Sequence, residues 1–204
     1  MKSIFKKRLS TKKGKDEIII VSGLPRSGTS MMMQMLEAGG MSIVTDNIRK
    51  ADEDNPRGYL EFEKVKKINE DASWLEDCRG KGFKMVSELL YHLPQNEQYK
   101  IIFMTREMKE MLASQRVMLK RLEREGSAVN DDDMSKIFRK HILKVKEWLE
   151  RQPNMDVIYM NYNDLVKKPL ENAEAVSHFL NDKLNSEKMA SVIDNSLYRQ
   201  KNNP

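Results

Sequence analysis

Residues 18–30 carry the most informative pattern in the chain: Ile18-Ile19-Ile20-Val21-Ser22-Gly23-Leu24-Pro25-Arg26-Ser27-Gly28-Thr29-Ser30. The first four residues are β-branched and show no polar alternation, which predicts a strand buried on both faces. The segment from Gly23 to Gly28 then turns directly into a helix that begins near Thr29. A strand, a glycine-bounded loop and a helix in this order are typical of a site where backbone N–H groups and a helix N-terminus surround an anion.

The loop has the spacing of a P-loop but lacks the P-loop lysine. Gly23-x-x-x-x-Gly28-x-Ser30 matches the pattern, and Thr29 stands where the lysine is expected. The nearest positive charge inside the loop is Arg26, three positions earlier, whose guanidinium could meet a terminal anionic group. The loop by itself also suits a degenerate nucleotide-kinase loop or a simple anion site, so a second match is needed.

The loop resembles a known one. Residues 24–30 are similar to the 5'-phosphosulfate loop of sulfotransferases that use 3'-phosphoadenosine-5'-phosphosulfate (PAPS). This resemblance implies that the donor and its product PAP are bound by Pro25, Arg26, Ser27, Gly28, Thr29 and Ser30. Arg26 would also act in catalysis, because it places donors near the group that is transferred.

A second element of the same family occurs later in the chain. Arg106 follows the predicted strand Tyr99–Thr105, and Ser114 comes eight positions later on the next predicted helix. The pair resembles the family's 3'-phosphate-binding element, although the usual Asn-Pro after the arginine is Glu107-Met108 here. A Mg²⁺-dependent P-loop kinase usually has an aspartate at the end of a neighbouring strand. Arg106 occupies this position here. Its positive charge would repel Mg²⁺ but would suit the additional 3'-phosphate that distinguishes PAPS from ATP.

Two carboxylates are candidates for the base that accepts the acceptor's proton. The segment Asn55-Pro56-Arg57-Gly58-Tyr59-Leu60-Glu61 resembles the Asn-Pro-x-Gly-aromatic-x-Glu stretch of many bacterial sulfotransferase-like proteins, which favours Glu61. Its alternative role is that of an acidic residue at a helix N-terminus. Glu88 ranks second, since it follows a predicted strand roughly where cytosolic sulfotransferases place a catalytic histidine. The family's C-terminal Gly-x-x-Gly-x-x-Lys element is absent, and Arg199 is a candidate substitute.

The charge of the chain is unevenly distributed. The net charge is +5, but residues 1–15 carry seven Lys or Arg and no acid, so residues 16–204 carry −2. We therefore expect a basic N-terminal arm over residues 1–15, solvated or in weak contact with an anionic surface, and no nucleic-acid partner. The single cysteine, Cys78, excludes an internal disulfide and a four-cysteine zinc site, so a cytoplasmic protein without a metal is expected.

The predicted elements alternate between strands and helices. Helices are expected at about 29–38, 62–75, 107–125 and 134–151, the last with Asp133 as its N-cap, and a short strand is expected at 41–44. Further buried strands are expected at 83–87, 99–105 and 156–160. This order predicts one α/β domain over residues 16–204, a P-loop NTPase-like three-layer fold. Its mostly parallel central sheet of about four to five strands would be flanked by helices.

The sequence thus favours a metal-independent sulfotransferase that moves the sulfuryl group of PAPS to a hydroxyl or amine of an unidentified acceptor. Two alternatives stay open: a kinase-like or other nucleotide-binding P-loop protein, and a PAP-binding module without catalysis. The acceptor and the oligomeric state are not indicated by the sequence.

Overall fold

Four parallel strands form the sheet in the computed structural model, which describes residues 16–46, 48–52, 55–121 and 130–194. Their order is β2-β1-β3-β4, and every neighbouring pair is parallel. The strands are β1 (Ile18–Gly23), β2 (Gly82–Val86), β3 (Tyr99–Thr105) and β4 (Met155–Asn161). The helices are α1 (Thr29–Ala38), α2 (Met108–Arg121), α3 (Asp131–Leu149), α4 (Tyr162–Lys167), α5 (Pro169–Phe179) and α6 (Ser186–Ser191).

The central strand β1 separates two apolar layers. All six of its residues are buried, as the unbroken β-branched run predicts. Ile18 and Ile20 face a cluster that includes α3 and the segments before and after β2. Ile19 and Val21 face a second cluster formed with α1, α4, α5 and α6. Helices on both faces of a parallel sheet make a three-layer α/β fold, which confirms the predicted architecture.

The prediction of a single helix at 62–75 is wrong. The chain instead forms two short 3₁₀ helices, Glu63–Lys67 and Ser73–Cys78, and a third one, Ser87–His92, follows β2. The apolar residues Phe62, Val65 and Ile68 recur every three positions, which matches the three residues per turn of a 3₁₀ helix better than the 3.6 of an α-helix. Their side chains all pack on the core beside β2.

Other predicted boundaries differ by smaller amounts. Helix α1 has the predicted bounds and ends at Gly39, and β3 coincides with its prediction. The N-cap of α3 is Asn130, not Asp133, because the Asn130 side chain accepts a hydrogen bond from the backbone N–H of Asp133. The expected strand at 41–44 is reduced to one bridge between Ile43 and Gly82. Within the described ranges, no helix is both long and apolar enough to cross a membrane.

Candidate active site

A cavity of about 470 Å³ opens at the carboxyl ends of β1, β2 and β3. The loop between β1 and α1 supplies one wall, including Pro25, Arg26, Gly28, Thr29 and Ser30. Ser27, the remaining loop residue of the sequence prediction, is buried and is not part of the cavity wall. Its hydroxyl donates a hydrogen bond to the carbonyl oxygen of Leu24 at 2.7 Å, so its role is to hold the loop closed.

Two glycines let the backbone of this loop take its shape. Gly23 has φ 152°, and a Cβ there would lie 2.5 Å from the carbonyl oxygen of Met104. Gly28, the N-cap of α1, has φ 98°, and a Cβ there would lie 2.5 Å from the Tyr162 ring. Neither position tolerates a side chain, so both glycines are required for the loop to pack against β3 and Tyr162.

Arg26 has a left-handed backbone with φ 68°, and it lines the cavity. Its Nε donates a hydrogen bond to Ser114 Oγ at 2.9 Å, and a guanidinium nitrogen of Arg106 donates to the Arg26 carbonyl oxygen at 3.5 Å. Arg106 Nε also forms an ion pair with Glu110 at 3.3 Å. We call Arg26, Arg106, Glu110 and Ser114 the arginine cluster. Arg26 and Ser114 are 88 residues apart in the sequence. Their hydrogen bond therefore brings the loop and the Arg106–Ser114 element together.

The start of α4 fixes the position of Arg106. The Arg106 guanidinium lies over the Tyr162 ring, 4.4 Å from its centroid. Asn163 accepts a hydrogen bond from the Glu107 backbone N–H at 3.1 Å and donates one to Glu110 at 3.0 Å. Asn163 therefore secures the turn after Arg106, at the position where the family's usual Asn-Pro is replaced. The Arg106 side chain is only 9% exposed, so its contacts with Glu110 and Tyr162 are largely shielded from water and are stronger than they would be at the surface.

A second group of charged residues contacts the β1–α1 loop at Ser30, whereas the arginine cluster contacts it at Arg26. The Lys84 ammonium donates a hydrogen bond to Ser30 Oγ at 3.1 Å and lies 3.5 Å from Glu61 Oε1. Arg49 forms a second ion pair with the same carboxylate oxygen at 3.0 Å and stacks over the Tyr59 ring at 3.4 Å. We call Arg49, Glu61 and Lys84 the lysine cluster.

Lys84 is the most perturbed of these charges. It occupies β2 beside Val21, and its side chain is 11% exposed. Burial lowers the pKa of the Lys84 ammonium to about 8, and the attraction of Glu61 opposes this change. The ammonium thus supplies a cation next to Ser30, close to where the missing P-loop lysine would act.

The tip of the 45–61 loop is held in place by polar contacts. Tyr59 is buried, and its hydroxyl donates to the Asp52 carboxylate at 2.8 Å. Ser30 Oγ donates to the Tyr59 carbonyl oxygen at 3.4 Å, and Gln34 donates to the Gly58 carbonyl oxygen at 3.3 Å. This anchoring to α1 brings Glu61 into the cavity wall.

The remaining candidates do not reach the cavity in the described part of the chain. Glu88 lies on the exposed side of the 3₁₀ helix Ser87–His92 and is not part of the cavity wall. Arg199 lies outside the described residues, as does the basic arm. Between the two candidate bases, the structure brings only Glu61 to the loop.

Sequence reasoning missed three residues of the wall: Lys84, Arg49 and Tyr162. A charged side chain inside a predicted buried strand was an available signal for Lys84, because buried lysines need a partner. Arg49 lies in an irregular loop and carried no signal. Tyr162 directly follows β4, and the carboxyl end of a strand is where ligand-binding side chains of parallel sheets are found.

Comparison with known proteins identifies the family of the chain. The model of the sulfotransferase domain family matches residues 16–204, and the chain belongs to this family. A solved structure described as the sulfotransferase domain from the curacin biosynthetic pathway is similar, with 16% identity and a TM-score of 0.46. That match covers 81% of this chain and 74% of the other. A search of curated proteins found no match.

Proposed function

We propose that the protein transfers the sulfuryl group of PAPS to a hydroxyl or amine acceptor, without a metal ion. One observation carries the proposal: Arg26 in the phosphate loop is hydrogen-bonded to Ser114, beside Arg106, so that two anion-binding positions adjoin. A nucleotide with charged groups on both its 5' and its 3' oxygens would use both positions. A nucleoside triphosphate would leave the second one unused.

The residues of the wall fit such a donor. The loop N–H groups, Thr29 and Ser30, which line the cavity at the N-terminus of α1, would hold the 5' end. Arg106 and Ser114 would hold the 3'-phosphate. The Tyr162 ring, which also lines the cavity, would support this contact by holding the Arg106 guanidinium in place.

The protein's own residues would provide charge stabilisation and proton transfer. PAPS, when bound, supplies an activated sulfuryl group whose bond to the 5'-phosphate breaks as the acceptor bonds to sulfur. Lys84 and Arg26 place positive charge where negative charge develops on the departing side. Glu61 would accept the acceptor's proton, and Arg49 and Lys84 orient this carboxylate through its Oε1 atom.

The kinase-like alternative fits the site less well. Mg²⁺ held beside transferred phosphates needs a carboxylate near the loop, usually at the end of a neighbouring strand. Here β3 ends at Thr105 and is followed by Arg106, and the nearby Glu110 is engaged by Arg106 and Asn163. The carboxylate beside the loop, Glu61, is already paired with Arg49 and Lys84.

Thermal unfolding tests the proposal before any acceptor is known. PAP should raise the melting temperature without Mg²⁺, and ATP should do so poorly. At a hundredfold excess over its Kd, a ligand adds about 2.7 kcal/mol to the free energy of unfolding, which corresponds to roughly 5–10 °C for a domain of this size. A Mg²⁺-dependent shift by ATP that equals or exceeds the PAP shift would contradict the proposal and favour the kinase-like reading.

A further inference from the structure

Helix α3 carries a concentrated positive charge. Residues 134–146 contain five Lys or Arg and no Asp or Glu. Residues 16–204 carry −2 in total, so the rest of them carries −7 against the +5 of this stretch. None of these thirteen residues, all of which the structure describes, lines the cavity of the candidate active site. The charge of α3 therefore belongs to a separate surface that the proposed reaction does not use.

Three lysines form a row on the solvent-facing side of α3. Lys136, Lys140 and Lys144 are all exposed and are spaced four residues apart, so their side chains follow one another along the helix. Lys136 pairs with Asp133 at 2.8 Å. Lys140 and Lys144 form no ion pair with any residue in the described part of the chain. Two ammonium groups of the row can therefore meet an external anion without breaking a contact inside the described protein.

Two aliphatic side chains flank this row. At 3.6 residues per turn, Ile137 and Leu143 fall on opposite sides of the lysines. Ile137 is 52% exposed and Leu143 is 61% exposed. Val145 and Leu149 on the opposite side of the helix are buried in the core, and they hold α3 on the sheet without help from the exposed pair. We call this surface the basic face; it consists of Lys136, Ile137, Lys140, Leu143 and Lys144.

We propose that the basic face docks the protein on an anionic phospholipid membrane. The lysine ammonium groups would lie at the level of the lipid phosphates, with their methylene stems along the apolar layer. Ile137 and Leu143 would enter the interfacial layer beside them, as apolar side chains of surface-bound helices do. A lipid surface offers anionic groups and an apolar layer together. An acidic protein would match the lysines but would place its carboxylates against Ile137 and Leu143, so the mixed composition of the face favours lipid.

The basic arm joins the domain in the same layer. Ile18, which follows the end of the arm by three residues, belongs to the same apolar cluster as Val145 and Leu149 of α3. Residues 1–15 carry seven Lys or Arg and no acid. Their charges would add to the attraction of one membrane surface, whereas the basic face, which is part of a regular helix, would set the orientation of the domain on it.

Sedimentation of the full chain with lipid vesicles tests the proposal. The vesicles contain phosphatidylcholine alone, or phosphatidylcholine and phosphatidylserine in equal amounts. Binding is expected only to the second kind, and raising the salt from about 0.1 M to about 1 M should weaken it strongly because the charges are screened. Lys140→Gln together with Lys144→Gln should lower the partition coefficient about 25- to 30-fold, at about 5-fold for each lysine. Leu143→Asn should lower it by about 5-fold or more.

Matched variants elsewhere on the surface provide the controls. Lys183→Gln together with Lys188→Gln removes the same charge from two exposed lysines outside α3 and should bind the vesicles like the wild type. Leu170→Asn should do so as well, because Leu170 is an exposed leucine on α5, which packs on the other face of the sheet. All these variants change exposed side chains, so their melting temperatures should stay close to that of the wild type.

The outcomes distinguish lipid from the other possible partners of this surface. Absence of binding to the anionic vesicles, or equal binding to both kinds, would overturn the proposal. If the variant without Lys140 and Lys144 binds like the wild type while high salt still releases it, the arm alone makes the contact and the basic face has no part in it. Binding to polyglutamate but not to vesicles would assign the face to an acidic protein instead. None of these measurements depends on sulfuryl transfer, so the proposed function is tested separately.

Discussion

The arginine cluster and the lysine cluster line one cavity, yet the chain builds them in different ways. Glu110 and Ser114 lie on α2, and Arg106 lies four residues before Glu110 in the turn between β3 and α2, while Arg26 belongs to the loop before α1. The lysine cluster joins Arg49 and Glu61, from an irregular segment, to Lys84 on β2. The first cluster consists of residues at or near the ends of β1, β3 and α2, whereas two of the three residues of the second come from the irregular segment between α1 and β2.

The two clusters also differ in how their charges are balanced. In the arginine cluster, Glu110 faces Arg106, and both side chains are at least nine-tenths buried. In the lysine cluster, one carboxylate is shared by two cations, and its side chain is 20% exposed. A buried, balanced pair suits a fixed binding position, whereas a carboxylate in contact with solvent can exchange a proton. Under the proposed function, this difference would divide donor binding and proton transfer between the two clusters.

The largest expected effect comes from removing the base. Glu61→Gln should lower kcat by about 10²- to 10⁴-fold and leave the PAP-induced thermal shift nearly unchanged, because the proton acceptor is lost while the donor contacts remain. Kinetics with an alcohol acceptor and PAP titration measure the two quantities. Glu63→Gln serves as a control on the next acidic side chain. If Glu88→Gln is the inactive variant that still binds PAP, the base assignment is wrong.

Removing the cation of the same cluster should have a slightly smaller effect on the rate. Lys84→Met should lower kcat by about 10²- to 10³-fold, the typical cost of losing one stabilising group at a developing charge. In the wild type, kcat/KM should fall as pH rises through about 8, where the free protein loses the Lys84 proton. Lys81→Met, an exposed lysine just before β2, should match the wild type. An unaltered rate in Lys84→Met would remove Lys84 from the mechanism.

The lowered pKa of Lys84 also predicts a pH dependence of stability. Between about pH 8 and pH 10.5 the unfolded chain keeps the Lys84 proton and the folded chain has lost it. The free energy of unfolding should therefore rise with pH across this window by about 3 kcal/mol relative to Lys84→Met. Urea unfolding of both proteins at several pH values measures the difference. If the free energy of unfolding changes with pH in the same way in the wild type and in Lys84→Met, the pKa of Lys84 is the same in the folded and unfolded chain and this prediction is wrong.

A smaller effect is expected from the arginine cluster. Arg106→Ala should remove most of the preference for PAP over 5'-AMP, a loss of about 10- to 150-fold, because a hydrogen bond to a charged group contributes about 1.5–3 kcal/mol. Isothermal titration with both nucleotides measures the preference. Arg116→Ala is the matched control, since Arg116 lies on the same helix, is 65% exposed and pairs with Asp131 outside the cavity. A retained preference in Arg106→Ala would separate the 3'-phosphate from this cluster.

The same contrast explains how much the sequence could reveal. The arginine cluster was predictable because a short loop pattern and an Arg–Ser spacing on a helix are local in sequence, and both of its anion-binding elements were found. The lysine cluster was only partly predictable. Glu61 came from a short motif, but its partners Arg49 and Lys84 lie 12 and 23 positions away on elements whose packing the sequence does not report.

The segment after Glu61 shows the physical limit most clearly. Apolar residues at 62, 65 and 68 were compatible with an α-helix that continues to residue 75. The actual 3₁₀ helices are short and leave a break between them, because burial of these side chains against the core decides the local geometry. Propensity alone could not show which of the two helical geometries the core would select.

The left-handed backbone of Arg26 places stability and ligand affinity in opposition at a single position. A non-glycine residue with φ 68° costs about 1–2 kcal/mol relative to its ordinary conformations, and glycine would avoid that cost. Arg26→Gly should therefore weaken PAP binding and relieve part of this strain in the ligand-free protein. Denaturant unfolding of the apo protein can measure the resulting change in the free energy of unfolding. The hydrogen bond from Arg26 to Ser114 offsets part of this cost in the ligand-free protein, and under the proposed function the bound anion would offset the rest.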